Sequence, residues 1–221
     1  MNFATLFRTK ENLHLDKKTL TVLRYIAIFG QFFAINIVYF YLDLPFPIFT
    51  SYIIISIGLF TNLYLQFGIK ITQLKDLYAS IFLIYDLLQL SLLLYLTGGI
   101  FNPFSFLLII PAIVSSTFLS MGTTIILGII TSFLLFFISF YHLPLPGENM
   151  NLLHFPNFYK IGIIISILIG LIFLGYFGIR FTGEKKKTEE AFKKLQEVIY
   201  KEYELESLGG QAAAAAHSLG T

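Results

Sequence analysis

The residues best able to do chemistry stand at the end of the chain. Ala212 to Thr221 read AAAAAHSLGT, five alanines running into a single histidine, His217. A neutral imidazole is a nucleophile and can take the γ-phosphoryl group of ATP as a phosphoramidate. That chemistry needs an exposed histidine in small-residue surroundings, where a kinase domain can dock. A second set lies in the apolar part of the chain. Asp86 and Gln89 are three apart and share a helix face, with Thr97 on roughly the same face. An acidic residue inside an apolar span is costly unless paired or functional. Two readings of Asp86 stay open: pairing with Gln31, Asn36 or Asn62, or a role in proton coupling. A third set is GGIFNPF, Gly98 to Phe104. Taken alone it reads as a helix end, with Gly98 and Gly99 as the cap and Asn102–Pro103 as the turn.

The elements that must carry these residues are legible in the composition. Of 221 residues, 56% are hydrophobic and 13% charged, about half the usual charged share. Between Tyr25 and Ile179 the only charges are Asp43, Lys70, Lys75, Asp76, Asp86, Glu148 and Lys160. No soluble surface can be built from so few, so this is an integral membrane protein with a polar tail. There is no cysteine and no metal-spaced histidine cluster, so no metal is expected. Residues 1–21 lack the pattern of a cleaved signal peptide and read as a cytoplasmic lead.

Spans of about 20 apolar residues are predicted at 22–42, 48–67, 77–97, 104–120, 123–142 and 161–179. Asp43, Pro45 and Pro47 end the first. Met121 and Gly122 allow a tight turn between the fourth and fifth, which could instead be a re-entrant pair. With both ends cytoplasmic, Arg8, Lys10, Lys17, Lys18, Arg24, Lys70, Lys75, Arg180, Lys185, Lys186 and Lys187 fall inside and only Lys160 outside. Arg24 is expected to be an interfacial anchor.

Beyond Ile179 the chain becomes polar. Residues 184–206 contain no Pro or Gly and are rich in helix formers. Glu189–Lys193, Glu190–Lys194 and Glu197–Lys201 are expected as pairs four apart. Leu195, Val198, Glu202, Leu205, Gly209, Ala212 and Ala216 form a coiled-coil-like seam with two defects, Glu202 and Gly209. A parallel dimer would bury that stripe, and His217 would sit at its edge. The predicted fold is all-α: a six-span helical bundle at 22–179, a helical linker at 180–206, and a dimerisation helix beginning at 207–221.

Two motifs resemble one family. LGGQAAAAAHSLGT resembles the H-box of the RegB/PrrB/ActS family of redox-sensing histidine kinases, matching at Leu208, Gly209, Gly210, Ala212 to Ala216, His217, Leu219, Gly220 and Thr221. The resemblance implies that His217 is the phosphoacceptor. It also implies that Thr221 occupies the position that orients water for dephosphorylating the partner. Ser218 stands where the family usually has a glutamate that takes the imidazole proton, and a hydroxyl is a poorer base. Independently, GGIFNPF is similar to the family's G-G-x-x-N-P-F quinone-binding loop between spans three and four. In that reading Gly98 and Gly99 give a flat ring close approach, Phe101 and Phe104 offer aromatic faces, Asn102 hydrogen-bonds a quinone carbonyl, and Pro103 completes the motif. Asp86 and Gln89 would then stabilise the quinone pocket. A weaker likeness covers Leu23 to Ala27 with Gly30 and Gln31.

The resemblance implies a bacterial inner-membrane sensor, homodimeric, in contact with membrane lipid and the quinone pool. It implies a protein-histidine kinase signalling to a cognate response regulator, with no direct nucleic-acid contact. A kinase of this type continues into a second dimerisation helix and an ATP-binding domain. No such boxes occur here, so ATP would enter only through a domain beyond residue 221, and truncation in the H-box is expected. Two other readings compete: a small transporter or channel fragment with Asp86 and Gln89 lining a path, and a non-catalytic dimerising scaffold.

Overall fold

A computed structural model describes residues 15–146 and 156–220. The expectation for Thr221, the side chains of Ala213, Ala216 and Ser218, and the lead before residue 15 lie outside the described residues. Six α-helices follow in order: α1 Lys17–Asn36, α2 Ile48–Leu63, α3 Asp76–Leu96, α4 Ile110–Phe118, α5 Met121–Phe140 and α6 Asn157–Leu219. A single two-residue antiparallel pair, β1 Leu15–Asp16 with β2 Gln73–Leu74, ties the start of α1 to the loop before α3. The fold is all-α, as the hydrophobic periodicity predicts.

Among the described residues, five helical segments are long and apolar enough to cross a membrane: Lys17–Tyr41, Ile48–Gly68, Asp76–Leu96, Met121–Phe140 and the first part of α6. The fourth expected span is shorter, Pro103–Phe118. Its first part, Pro103–Ile109, is a 3₁₀ helix. Pro111 explains this, because its ring clashes with the carbonyl four residues earlier and it donates no hydrogen bond. The Leu107 carbonyl is instead bonded by the N–H of Ile110, three residues on. The 3₁₀ rise is the greater, so the segment extends about 27 Å, near the ~30 Å of a bilayer core.

The first two spans end in π-helical turns, Ile37–Tyr41 and Tyr64–Gly68. Asp43 follows the first in a left-handed conformation, φ 53°. The start of α1 is fastened to the end of α2. Lys17 Nζ donates to the carbonyls of Gln66 (3.0 Å) and Ile69 (2.7 Å), and Tyr25 donates to Gln66 Oε1. At that end Leu15, Leu20, Leu65, Leu74 and Leu119 are buried in one apolar cluster. Asp76 Oδ2 accepts from the Ser120 N–H, joining the start of α3 to the start of α5.

A second cluster, including Leu94, Ile100, Leu108, Leu135 and Ile138, fills the region under the loop after α3. Outward-facing residues are large and apolar: Phe29, Phe40, Phe49, Phe60, Phe133 and Phe173 are all more than half exposed. Such a surface suits a bilayer as solvent. Hydroxyls buried inside the bundle close onto their own helices, as Ser91 does on the Leu87 carbonyl and Thr131 on that of Leu127.

The chain divides into two compact units between Ile179 and Arg180. The second is helical to Leu219. Its expected charge pairing is partly revised. Glu197 meets Lys201 at 3.0 Å as predicted, but Glu189 and Glu190 meet Lys185 and Lys186, at 3.9 and 3.8 Å, rather than Lys193 and Lys194. Each glutamate has a lysine one turn away on either side and engages one of them. All are exposed, so each contributes a few tenths of a kcal/mol at most.

Candidate functional site

The residues singled out in the apolar unit fall into two separate places. The first is a polar seam among α1, α2 and α3. Stepping along α1 by threes and fours, Thr21, Arg24, Ile28 and Ile35 form its buried face. Arg24 is therefore not an interfacial anchor. Its side chain is 3% exposed and its Nε donates to Asp86 Oδ1 at 2.8 Å. The guanidinium also donates from Nη2 to Thr61 Oγ1 at 2.8 Å. It lies over the rings of Phe82 and Tyr85, 5.2 and 5.4 Å from their centroids, an arrangement that adds cation–π attraction. Asp86 thus has a structural partner, but none of the three expected ones.

Those three polar residues are engaged elsewhere. Gln31 Oε1 accepts from Gln89 Nε2 at 3.2 Å. Asn36 Oδ1 accepts from the Tyr52 hydroxyl at 2.8 Å. Asn62 Nδ2 donates to the Thr21 carbonyl at 3.2 Å. Gly58 on α2 makes room for Gln89, since a Cβ there would stand 2.8 Å from Gln89 Cδ. Composition could have suggested the Arg24–Asp86 pair: these are opposite charges in the first and third apolar spans. The eleven residues from Asp86 to Thr97 correspond to about 16 Å of helix, so the seam and the loop are distinct.

The second place is the loop itself. Gly98 and Gly99 have positive φ, 104° and 57°, which glycine adopts without strain. Thr97, at the end of α3, is bound by Asn102. Both bonds come from Asn102 Nδ2, to the Thr97 carbonyl at 3.0 Å and to its Oγ1 at 2.7 Å. Asn102 Oδ1 accepts from the Phe104 N–H at 2.9 Å and caps the 3₁₀ helix, with Pro103 in its first turn.

The close approach that the glycines permit is made by the segment leaving α5. A Cβ on Gly98 would stand 2.9 Å from Leu145 Cα. One on Gly99 would stand 2.6 Å from His142 Cγ. The Leu143 N–H reaches the Tyr95 carbonyl at 2.8 Å. The His142 ring meets Phe101 edge-on, centroids 5.9 Å apart. Phe104 is 44% exposed and gives this end of the bundle an open aromatic face. His142 carried no distinctive spacing in the sequence, and only the return of the chain after α5 brings it to the loop.

In the second unit His217 is exposed, in the last turn of α6. The seam residues Leu195, Val198 and Leu205 are likewise more than half exposed. Nothing in this unit covers the imidazole. Among the described residues no group of three His, Cys, Asp or Glu could hold a metal.

Comparison with known proteins agrees with this layout. No family model matches the chain, and no solved structure matches it. Two curated sequences of the sensor histidine kinase RegB from Cereibacter sphaeroides, one from a named strain, are each 36% identical over 205 residues. The alignments cover 92% of this chain and 44% of RegB, so the chain spans less than half the length of these relatives. Over nearly its whole length, this chain is a relative of the sensor histidine kinase RegB.

Proposed function

We propose that this chain is the membrane sensor and phosphoacceptor helix of a two-component histidine kinase that reads the redox state of the quinone pool. One observation carries the reading: identity to RegB extends over 92% of the chain, more than the apolar unit alone supplies, so a single relative accounts for the bundle and for much of the tail that follows it. The spans would cross a bacterial inner membrane six times, with both termini cytoplasmic, as the distribution of lysine and arginine favours.

Gly98, Gly99, Phe101, Asn102, Pro103 and Phe104 form the quinone-responsive loop. The ordered backbone and the exposed Phe104 support this, with Asn102 shaping the loop through Thr97. Asp86 and Gln89 act as ties to α1. Their engagement by Arg24 and Gln31 disfavours a transport path through them. An open groove of about 370 Å³ lies elsewhere, lined by residues such as Ala112, Thr124, Gly128, Ser132 and Gly175.

Two copies pair through the seam from Leu195 to Ala216. An imidazole nitrogen of His217 attacks the γ-phosphorus of ATP held by a catalytic domain, and ADP leaves. The phosphoryl group then passes to an aspartate of a response regulator. Ser218 makes removal of the imidazole proton slower than a glutamate would, and Thr221 positions the water that hydrolyses the phosphoryl group from the response regulator's aspartate.

The gene should be read past codon 221, and the longer product assayed with radiolabelled ATP. A continuing frame with an ATP-binding domain, acid-labile label, and loss of that label in His217→Asn are expected. Label persisting in His217→Asn, or a stop codon after Thr221, would overturn the kinase reading and favour a scaffold.

A further inference from the structure

We infer that His142 is the hydrogen-bonding residue of the ligand site at the loop, and that it accepts from the hydroxyl of a reduced ring, a hydroquinone. The inference rests on the reading of Gly98 to Phe104 as a quinone site. A ring oxygen there needs a polar partner, and Asn102 is already engaged. Its Nδ2 donates to the Thr97 carbonyl and Oγ1, and its oxygen holds the Phe104 N–H. Among the described residues, His142 is the other side chain at the loop with hydrogen-bonding nitrogens. It is half-buried, stands over Gly99 where any Cβ would displace it, and meets Phe101 edge-on.

Its tautomer follows from its neighbour. Nδ1 lies 2.9 Å from the Leu143 carbonyl, and a carbonyl oxygen only accepts, so the proton is on Nδ1. In the neutral ring Nε2 then carries a bare lone pair. Nε2 makes no hydrogen bond among the described residues. An acceptor of this kind binds an O–H and gains nothing from a C=O. A hydroquinone presents two O–H groups, whereas the oxidised quinone presents only carbonyls. His142 therefore strengthens binding of the reduced form selectively, while Phe104 serves both forms alike. The segment that carries it leaves α5 directly, so the preference is built into the bundle.

The test uses the 221-residue chain in lipid nanodiscs. Binding of decylubiquinone, and of decylubiquinol under anaerobic conditions, is measured for the parent chain, His142→Phe and His142→Gln. His142→Phe keeps an aromatic ring against Phe101 and removes the acceptor. It should weaken decylubiquinol binding at least tenfold and change decylubiquinone binding less than threefold. His142→Gln supplies an acceptor and a donor together. It should keep decylubiquinol within threefold and tighten decylubiquinone, and it decides the matter where His142→Phe does not fold. Equal losses of both forms, or no loss, in His142→Phe would overturn the inference and leave the quinone reading standing, as would a tenfold loss of decylubiquinol in His142→Gln. If the parent chain binds neither probe, the quinone reading itself fails and the inference falls with it.

Discussion

Arg24 and Asp86 show what a charge must do to survive inside an apolar bundle. Each is costly to bury alone, and together they form an ion pair 2.8 Å long that Thr61, Phe82 and Tyr85 complete. Breaking such a pair from one side leaves the other charge buried and uncompensated, a loss of about 3–5 kcal/mol. Asp86→Ala should therefore lower the thermal stability of the detergent-solubilised chain by that amount. Arg24→Met combined with Asp86→Leu should restore most of it, because no charge then remains buried. Thermal unfolding of the two variants decides. A double variant as unstable as the single one would show that the pair is not the source of the loss. The pairing itself was only half legible. The sequence marks both residues as anomalous, but one-dimensional spacing does not say that α1 lies against α3 at those turns.

Glycines in two elements should respond to the same substitution with opposite signs. Gly98 is left-handed and pressed against Leu145. An alanine there carries about 1–2 kcal/mol of backbone strain and also displaces the return segment. Gly98→Ala should lower stability by at least that amount and make residues 142–145 more open to proteolysis. Unchanged protection of the segment would contradict the packing described. Gly209 lies inside α6 with open space where its Cβ would be. There alanine is the better helix former by about 1 kcal/mol. In Gly209→Ala, amide hydrogen exchange around residues 205–215 should slow about fivefold, and an unchanged rate would mean that the helix end is held by something other than propensity. At this scale the sequence was a good guide. Caps, prolines and glycines mark the ends of α1, α2 and α3 within a few residues. It missed the 3₁₀ stretch before α4, because a run of apolar residues looks the same in either helix.

The whole molecule is a bundle that meets lipid and a tail that meets water, divided near Ile179. The tail leaves Leu195, Val198 and Leu205 exposed in a single chain, with Glu202 interrupting the stripe. If two copies pair along it, Glu202→Leu should tighten the pairing, since two like charges leave the seam. The chain has no native cysteine, so a single Leu205→Cys reports directly. Oxidative cross-linking in membranes should rise several-fold in the Glu202→Leu background. Cross-linking that is absent in both backgrounds would remove the seam as a dimer interface.

What the sequence determined by itself is whatever depends on local composition and spacing. The membrane class follows from the scarcity of charge over 155 residues, from Tyr25 to Ile179. The helical tail follows from its helix formers, and the candidate histidine from its alanine run. These properties belong to a segment wherever it is placed. Tertiary structure decided the partners. It gave Asp86 to Arg24 and Gln89 to Gln31, and it set His142 over Gly99. Each of these depends on which helix faces lie together. Hydrogen bonds and ion pairs act over about 3 Å, a distance that position along the chain does not specify for residues sixty apart.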